Sequence, residues 1–185
     1  MKNYKDISGW FNYESTYDFL TNKTPTNGTF VECGAWLGKS SIYLCSICKK
    51  KNINVYIVDS WEGSISELQT THRLAKEEDI FMIFINNLSG YNYTPIKAKS
   101  NDASKLFDIQ SCDVVFIDME HTYEAVKNDI EIWLPKIKIG GYLAGHDYSN
   151  DWPGVIKAVN EIFGRENIIQ MGDCWIYEVK NVRSS

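Results

Sequence analysis

Short apolar runs alternate with longer amphipathic stretches along most of the chain. Seven runs rich in Val, Ile, Phe and Tyr predict strands at 29–33, 54–59, 94–99, 113–118, 141–147, 168–171 and 174–179. The stretches between them predict helices at 38–51, 64–88, 102–108, 122–137 and 152–163. This alternation is typical of a parallel sheet that is covered by helices.

The two ends of the chain depart from this alternation. Residues 1–27 predict a helical lead-in with aromatic anchors at Trp10, Phe11, Tyr13 and Tyr17. Only Gly172 and Asp173 separate the last two predicted strands, and so short a turn favours an antiparallel pair. We therefore expect six parallel strands and a reversed last strand. No repeat, low-complexity tract or linker divides residues 1–185, so we expect a single domain.

Composition argues against several classes of function. The 185 residues are 44% hydrophobic, 23% charged and 14% aromatic, as in an ordinary globular protein. A net charge of -5 and a pI near 5.2 argue against a nucleic-acid partner, because such partners need a clustered basic surface. The run Lys49–Lys51 is expected at a helix C-terminus, where lysines complement the helix dipole.

Cysteine use and hydropathy favour a cytoplasmic protein. The five cysteines lie mostly in apolar runs, and the N-terminal sequence lacks the apolar stretch of a signal peptide. Cys45 and Cys48 form a C-x-x-C pair, but its amphipathic context favours packing over redox or metal chemistry. No apolar run reaches the roughly 18 residues of a membrane span, so no membrane partner is expected.

A glycine turn follows the first predicted strand, in VECGAWLGKSS. Gly34 and Gly38 would let the backbone approach a ligand, and the next helix would offer unpaired N–H groups there. The motif departs from the dinucleotide pattern G-x-G-x-x-G, since Trp36 replaces a small residue. Asp59 ends the second strand, where a carboxylate can accept hydrogen bonds from a ribose diol. With Glu32 at the foot of the turn, these residues favour a nucleoside-containing ligand over plain surface polarity.

Four blocks of the sequence resemble one family. They are FVECGAWLGKSS (30–41), VDSWEGS (58–64), FIDMEHTYEAVKNDIEIWLPKIKIGGYLAGHDY (116–148) and WPGVIKAV (152–159). Together they are similar to class I S-adenosylmethionine-dependent methyltransferases, specifically the group that includes macrocin O-methyltransferase and cephalosporin hydroxylase. The resemblance extends from about residue 8 to residue 178, with the blocks in the same order.

The resemblance implies an α/β fold, in which a Rossmann-like seven-stranded sheet with helices on both faces holds S-adenosylmethionine across the carboxyl ends of its strands. By position, residues 32–40 would surround the methionine part, Asp59 the ribose, and Trp61 with Ser100 and Asn101 the adenine. The residues that it assigns to the cofactor are Glu32, Gly34, Ala35, Gly38, Ser40, Asp59, Ser60, Trp61, Ser100, Asn101 and Asp118.

Two carboxylates end neighbouring predicted strands. Asp118 ends the fourth and Asp147 the fifth, and adjacent parallel strands lie about 4.8 Å apart, so both side chains can reach one ion. Carboxylates with waters suit Mg²⁺ or Ca²⁺. His146 can supply another ligand, although regular alternation would point it to the opposite face. The expected metal ligands are Asp118, His146 and Asp147.

His121 follows Asp118 by three residues, at the start of the next predicted helix. In related metal-dependent methyltransferases a base occupies this position, so the resemblance makes His121 the catalytic residue that takes the proton of the acceptor hydroxyl. A histidine near its reference pKa of about 6.5 suits this task. In the alternative interpretation, His121 caps the helix that begins at Thr122, and Asp118 supports the methionine ammonium without a metal.

The leading hypothesis is an S-adenosylmethionine-dependent, divalent-metal-assisted O-methyltransferase that acts on a hydroxyl of a sugar or small polyol. A hydroxylase-like reaction on the same scaffold and a non-catalytic nucleoside-binding module are alternatives, because a fold does not fix a function. The acceptor pocket is expected from the lead-in, residues 62–93 and the 148–153 loop. Aromatic residues there would stack on a sugar face or form a contact between two copies: Trp10, Tyr13, Tyr148 and Trp152.

Overall fold

Seven strands form one sheet in the computed structural model, which describes residues 1–64 and 71–181. The strands are β1 (Thr29–Cys33), β2 (Asn54–Asp59), β3 (Thr94–Lys97), β4 (Cys112–Ile117), β5 (Ile137–Gly145), β6 (Ile168–Met171) and β7 (Cys174–Glu178). Their order across the sheet is β3-β2-β1-β4-β5-β7-β6. β7 pairs antiparallel with β5 and β6, and the other pairs are parallel. The prediction of a seven-stranded sheet with a reversed last strand is confirmed.

Helices cover both faces of the sheet. The described ranges contain α1 (Glu14–Lys23), α2 (Lys39–Cys48), α3 (Thr71–Glu77), α4 (Ile80–Asn87), α5 (Ser100–Ala103), α6 (Tyr123–Trp133) and α7 (Pro153–Phe163). The helix predicted at 64–88 corresponds to α3 and α4, and its residues 65–70 lie outside the described residues. No helix in these two ranges has both the length and the apolar character needed to cross a membrane.

β4 lies in the middle of the sheet, and all of its residues are buried. Val114 and Phe116 pack on one face, in a core that includes residues of α1, α2 and α4. Val115 and Ile117 pack on the opposite face with residues of α5, α6 and α7. Successive side chains of a strand point to opposite faces, and burial of both faces explains the continuous apolar run in the sequence. The carboxyl end of β4 is therefore fixed by two cores.

β5 begins and ends earlier than predicted. A helix was expected to reach residue 137 and a strand to begin at 141, but Ile137 already pairs with Cys112, and the register shifts between Cys112 and Val114. This irregular stretch brings the backbone at Gly141 so close to β4 that an added Cβ would lie 2.6 Å from the carbonyl oxygen of Asp113. Residues 138–140, which lie between the predicted helix and the predicted strand, are therefore part of β5.

The carboxyl ends of β4 and β5 lie side by side. Ile117 pairs with Gly145 at the last position of both strands. β4 ends one residue and β5 ends two residues before its predicted end. Asp118, His146 and Asp147 therefore follow the strands instead of ending them. The three side chains nevertheless share one edge of the sheet, as expected.

Candidate active site

A cavity of about 680 Å³ opens at the carboxyl ends of β1, β2, β4 and β5. Its wall combines the N-terminal segment 8–13, the turn after β1, the residues after β2, and the ends of β4 and β5. Among the predicted cofactor, metal and catalytic residues, those that line it are Gly34, Ala35, Ser40, Asp59, Ser60, Asp118, His121, His146 and Asp147. Parallel sheets commonly bind ligands at this edge, so the cavity is the candidate active site.

The turn after β1 packs directly against the end of β4. Gly34 has a φ of 93°, and a Cβ added to it would lie 1.7 Å from the carbonyl oxygen of Asp118. Its N–H donates to the carbonyl oxygen of Val58 at 2.8 Å, which ties the turn to β2 as well. Only glycine fits this position, since it combines a left-handed backbone with a contact that leaves no room for a side chain. The predicted cofactor turn and Asp118 are thus in contact through their backbones.

Asp59 holds two turns of the cavity wall. Its Oδ2 accepts hydrogen bonds from the N–H groups of Ala35 at 2.8 Å and Trp36 at 2.9 Å. Its Oδ1 accepts from the N–H of Trp61 at 2.7 Å. Trp36 and Trp61 both have positive φ, at 48° and 54°, so these hydrogen bonds hold conformations that non-glycine residues seldom adopt. The carboxylate predicted to bind ribose therefore also shapes the glycine turn.

Two residues of the glycine block lie behind the cavity rather than in its wall. Glu32 is fully buried and accepts hydrogen bonds from the Tyr17 hydroxyl, at 2.6 Å, and from the Ser41 hydroxyl. Burial raises the pKa of Glu32 to about 7, although these hydroxyl donors oppose the shift. Gly38 precedes α2 with a φ of 88°, and an added Cβ would lie 2.2 Å from Cδ1 of Leu88. Both residues support the turn from outside the cavity.

The three residues assigned to adenine do not reach the cavity. Trp61 is buried against Phe81 and Phe84, with ring centroids 4.6 and 4.8 Å away, and its Nε1 donates to the carbonyl of Trp36. Ser100 is buried and accepts from Nε1 of Trp133 at 2.9 Å. Asn101 is exposed on α5. The described cavity wall near β3 instead contains Lys99 and Glu62, whose charged groups lie 4.0 Å apart.

Asp118, His121 and Asp147 form a compact cluster in the cavity wall. Each offers one potential ligand atom, and these atoms lie within 4.8 Å of one another. Nε2 of His121 lies 2.9 Å from Oδ2 of Asp147 and 3.9 Å from Oδ1 of Asp118. Burial lowers the pKa of His121, but the hydrogen bonds and charges of the two carboxylates outweigh it and raise the pKa to about 10. The contacts of Asp147 with His121 and His146 lower the pKa of Asp147 against the effect of burial.

His146 also faces this cluster. Its Nδ1 lies 3.2 Å from Oδ1 of Asp147 and 3.8 Å from Oδ1 of Asp118, while its buried Nε2 has no hydrogen-bond partner among residues 1–64 and 71–181. Regular alternation would send successive side chains to opposite faces, but β5 has ended and Asp147 has a left-handed φ of 59°. Both residues therefore line the cavity. The compact three-residue cluster contains His121 where the sequence predicted His146.

The backbone of His121 is fixed by its neighbours rather than by a capping role. Thr122 is the N-cap of α6, and its hydroxyl accepts from the N–H of Ala125 at 3.4 Å. The ring of Trp152 lies 4.2 Å from the His121 ring, between centroids, and both residues line the cavity. A Cβ added to Gly154 would lie 3.0 Å from the His121 carbonyl oxygen, so α7 packs closely on this backbone. The WPG segment therefore supports the histidine.

Tyr13 is a site residue that the sequence did not connect to the carboxylates. Its hydroxyl donates to Oδ2 of Asp118 at 2.9 Å, across a separation of 105 positions. The sequence indicated only an aromatic residue that was available for stacking. Of the other aromatic residues proposed for the acceptor, Trp10 and Trp152 line the cavity, whereas Tyr148 is buried and donates to Asn160 at 2.6 Å.

A family model described as "Methyltransferase domain" matches residues 31–148. The matched residues include the glycine turn, Asp59 and the compact cluster of Asp118, His121 and Asp147. The chain therefore belongs to this methyltransferase family, in agreement with the family resemblance of its sequence. Among curated proteins, "Uncharacterized protein R132" of Acanthamoeba polyphaga mimivirus is 36% identical over 83 residues, or 41% of this chain. The chain spans 37% of the length of that relative.

Solved structures share the fold at low sequence identity. The O-methyltransferase NovP is 20% identical with a TM-score of 0.67, over 91% of this chain and 79% of that chain. CalS11, a TDP-rhamnose 3′-O-methyltransferase of calicheamicin biosynthesis, is 13% identical with a TM-score of 0.63, over 91% and 79% of the two chains. An S-adenosylmethionine-dependent O-methyltransferase of Thermotoga maritima is 15% identical with a TM-score of 0.59, over 88% and 54%. These similarities confirm the Rossmann-like methyltransferase fold.

Proposed function

We propose that this protein is a divalent-metal-assisted O-methyltransferase that acts on a hydroxyl of a sugar or small polyol. The observation that carries the proposal is the position of Asp118, His121 and Asp147 in the wall of the cavity that the glycine turn also lines. Methyl donor and acceptor must meet within a few ångströms, and one cavity provides places for both.

The charge of the cavity suits the cofactor. Its described wall contains five carboxylates and two lysines: Asp59, Glu62, Asp118, Glu120, Asp147, Lys39 and Lys99. Nζ of Lys39 donates to the carbonyl of Gly9 at 2.9 Å, and Lys99 lies beside Glu62. S-Adenosylmethionine carries a sulfonium and an ammonium group, and a surplus of negative charge attracts such a ligand. Gly34, Ala35, Ser40, Asp59 and Ser60 are the residues that we propose for its binding.

The donor set of the cluster fits a divalent cation. Opposite ligands of one ion lie about 4.2 Å apart around Mg²⁺ and about 4.8 Å apart around Ca²⁺, from the usual bond lengths. The ligand atoms of Asp118 and Asp147 lie within 4.8 Å of each other, which is the separation that one such ion can span. We propose Asp118 and Asp147 as the ligands that the protein supplies, with His146 beside them.

The remaining residues would orient the acceptor and move its proton. A bound divalent cation would supply electrostatic stabilisation of the developing alkoxide. His121 is the group that we propose to accept the hydroxyl proton, because its imidazole lies in the cavity wall beside the proposed ligands. Next to the two carboxylates alone, its raised pKa of about 10 keeps the ring protonated. A cation held by Asp118 and Asp147 would disfavour the imidazolium and so favour the neutral ring that accepts a proton. Trp152 against the His121 ring and Trp10, which is 67% exposed, offer flat apolar surfaces to a sugar face. CalS11, which shares the fold and is a TDP-rhamnose 3′-O-methyltransferase, supports this acceptor class.

Methyl transfer from labelled S-adenosylmethionine to a panel of glycosides and polyols, with Mg²⁺ or with a chelator, tests the proposal. The His121→Ala protein should keep its cofactor and Mg²⁺ affinities and lose about 10²- to 10⁴-fold in turnover, the usual effect of losing a general base. The Asp118→Ala protein should lose Mg²⁺ affinity and turnover together. Lys127→Ala, on α6 and outside the cavity, controls for changes in folding.

Three results would contradict this proposal in different places. Full turnover in the presence of the chelator would contradict a catalytic role for the metal. Loss of Mg²⁺ affinity in His121→Ala would make His121 a ligand instead of the base. Binding of NAD without binding of S-adenosylmethionine would overturn the cofactor assignment itself.

A further inference from the structure

We infer that Tyr13 is a positioning residue that sets the orientation of the Asp118 carboxylate toward the cation. This inference rests on the metal-assisted transfer proposed above. Tyr13 belongs to the N-terminal segment 8–13, which lines the cavity and is not part of the matched methyltransferase region. The residue therefore lies outside the part of the chain on which the family assignment depends.

The ring of Tyr13 packs on β4, the strand that leads into Asp118. Its side chain is 5% exposed and stacks on Phe116, with ring centroids 5.1 Å apart and an interplanar angle of 26°. Phe116 lies on β4, two positions before Asp118. Phe11 and Tyr17 contact the Tyr13 ring edge-on, at 4.7 and 5.2 Å. Packing on several sides leaves the hydroxyl little freedom, so its position is set before any ligand binds.

The two oxygens of Asp118 have different partners. Oδ2 accepts the hydrogen bond from Tyr13 at 2.9 Å. Oδ1 faces Nδ1 of His146 at 3.8 Å and Nε2 of His121 at 3.9 Å. A carboxylate that is held through one oxygen presents the other to a ligand in a fixed direction. Partners of this kind commonly set the orientation of metal-binding side chains.

The same contact connects the cation site to the wall of the acceptor pocket. Tyr13 continues from residues 8–12, which line the cavity, and Lys39 holds Gly9 of this segment through the 2.9 Å hydrogen bond to its carbonyl oxygen. The Tyr13 ring also lies 4.6 Å from the His146 ring, measured between centroids. One side chain thus touches a ligand carboxylate, the neighbouring histidine and the segment that faces the acceptor.

Tyr13→Phe tests the inference, because it removes the hydroxyl and keeps the ring. Tyr17→Phe is a matched control: Tyr17 is also a buried tyrosine whose hydroxyl donates to a carboxylate, that of Glu32, which lies behind the cavity. Mn²⁺ binding would be measured by titrating the protein with Mn²⁺ and following the electron paramagnetic resonance signal of the free ion. We expect Tyr13→Phe to weaken Mn²⁺ binding about 10- to 100-fold. Tyr17→Phe should lower the melting temperature and leave Mn²⁺ affinity unchanged.

The outcomes separate this inference from the proposed function. If the native protein binds Mn²⁺ and Tyr13→Phe binds it equally well, the positioning role is wrong and the metal site stands. If the native protein binds S-adenosylmethionine but no Mn²⁺, the metal site and the role of Tyr13 are both wrong, and methyl transfer without a metal stands. Equal losses of Mn²⁺ affinity in both tyrosine variants would also overturn the inference, because general loosening of the aromatic cluster would then explain them.

Discussion

Glu32 shows at the scale of one residue how an acidic group near a ligand cavity can act through stability. The carboxyl group is fully buried behind the glycine turn and accepts hydrogen bonds from the hydroxyls of Tyr17 and Ser41. Burial raises its pKa from 4.5 to about 7. Between these two pH values the folded protein keeps a proton that the unfolded chain releases, so the free energy of unfolding falls as the pH rises.

Glu32→Gln should therefore remove a pH dependence rather than a fixed amount of stability. The shift corresponds to roughly 3 kcal/mol across this window, since one pKa unit equals about 1.4 kcal/mol. Relative to the native protein, the variant should gain stability as the pH rises from about 4.5 to about 7, and the difference should level off above pH 7. Urea unfolding at several pH values measures it. A difference between the two proteins that does not change with pH would contradict the raised pKa.

Asp59 combines a structural and a proposed binding role. Its oxygens accept from the N–H groups of Ala35, Trp36 and Trp61, and it lines the cavity. Asp59→Ala should weaken S-adenosylmethionine binding by roughly 1 to 3 kcal/mol, through lost charged hydrogen bonds. Calorimetry gives the affinity. Asp113→Ala is the control, because Asp113 accepts from the N–H of Thr29 at the opposite end of the sheet; it should cost stability without changing this affinity.

The residues that the sequence could identify are those whose position follows from a strand end. Asp59, Asp118 and Asp147 follow apolar runs, so their place at one edge could be predicted without knowing any side-chain contact. Tyr13 could not be assigned in this way, since its partner lies 105 positions away. The adenine assignment of Ser100 depended on the family alone, and Ser100 instead accepts a hydrogen bond from Trp133.

At the scale of elements, the turn after β1 depends on its contact with β4. Gly34→Ala would place a Cβ 1.7 Å from the Asp118 carbonyl oxygen, so the turn or the end of β4 must move. We expect S-adenosylmethionine and Mg²⁺ affinities to fall together, each by 10-fold or more, on the order of the effect of a 1.4 kcal/mol change.

Gly140→Ala is the matched control for the backbone cost of this substitution. Gly140 also has a positive φ, 81°, but no atom lies within 4 Å of an added Cβ. It should lose about 1 to 2 kcal/mol of stability, the usual cost of a left-handed alanine, without loss of ligand binding. Equal behaviour of the two variants would mean that backbone strain, and not the contact with Asp118, determines the effect.

Element types could be predicted more reliably than element ends. β1, β2 and β6 have the predicted bounds because alternation and flanking turns delimit them in the sequence. β5 does not, because its pairing from Ile137 onward depends on an irregular register with β4 that no local pattern encodes. Within the stretch predicted as one helix at 64–88, the described residues 71–88 form two helices, with Asp79 as the N-cap of the second.

At the scale of the whole molecule, ligand binding should increase the free energy of unfolding and the melting temperature. A ligand that binds only the folded state at 100 times its Kd adds about 2.7 kcal/mol, and a domain of this size melts about 2 to 4 °C higher for each kcal/mol. S-Adenosylmethionine, or its demethylated product, should therefore raise Tm by roughly 5 to 10 °C. NAD at the same concentration is the control, and a rise with NAD alone would contradict the methyltransferase cofactor.

The hydrogen bond between Tyr13 and Asp118 has a consequence for the order of folding. Its two ends are 105 positions apart, so its formation requires closure of a loop that contains β1, β2, β3 and β4. Such long-range contacts are entropically costly and tend to form after local structure. During refolding, helical circular dichroism should return before the ability to retain Mn²⁺. A partly refolded population would then contain secondary structure but lack the cation site.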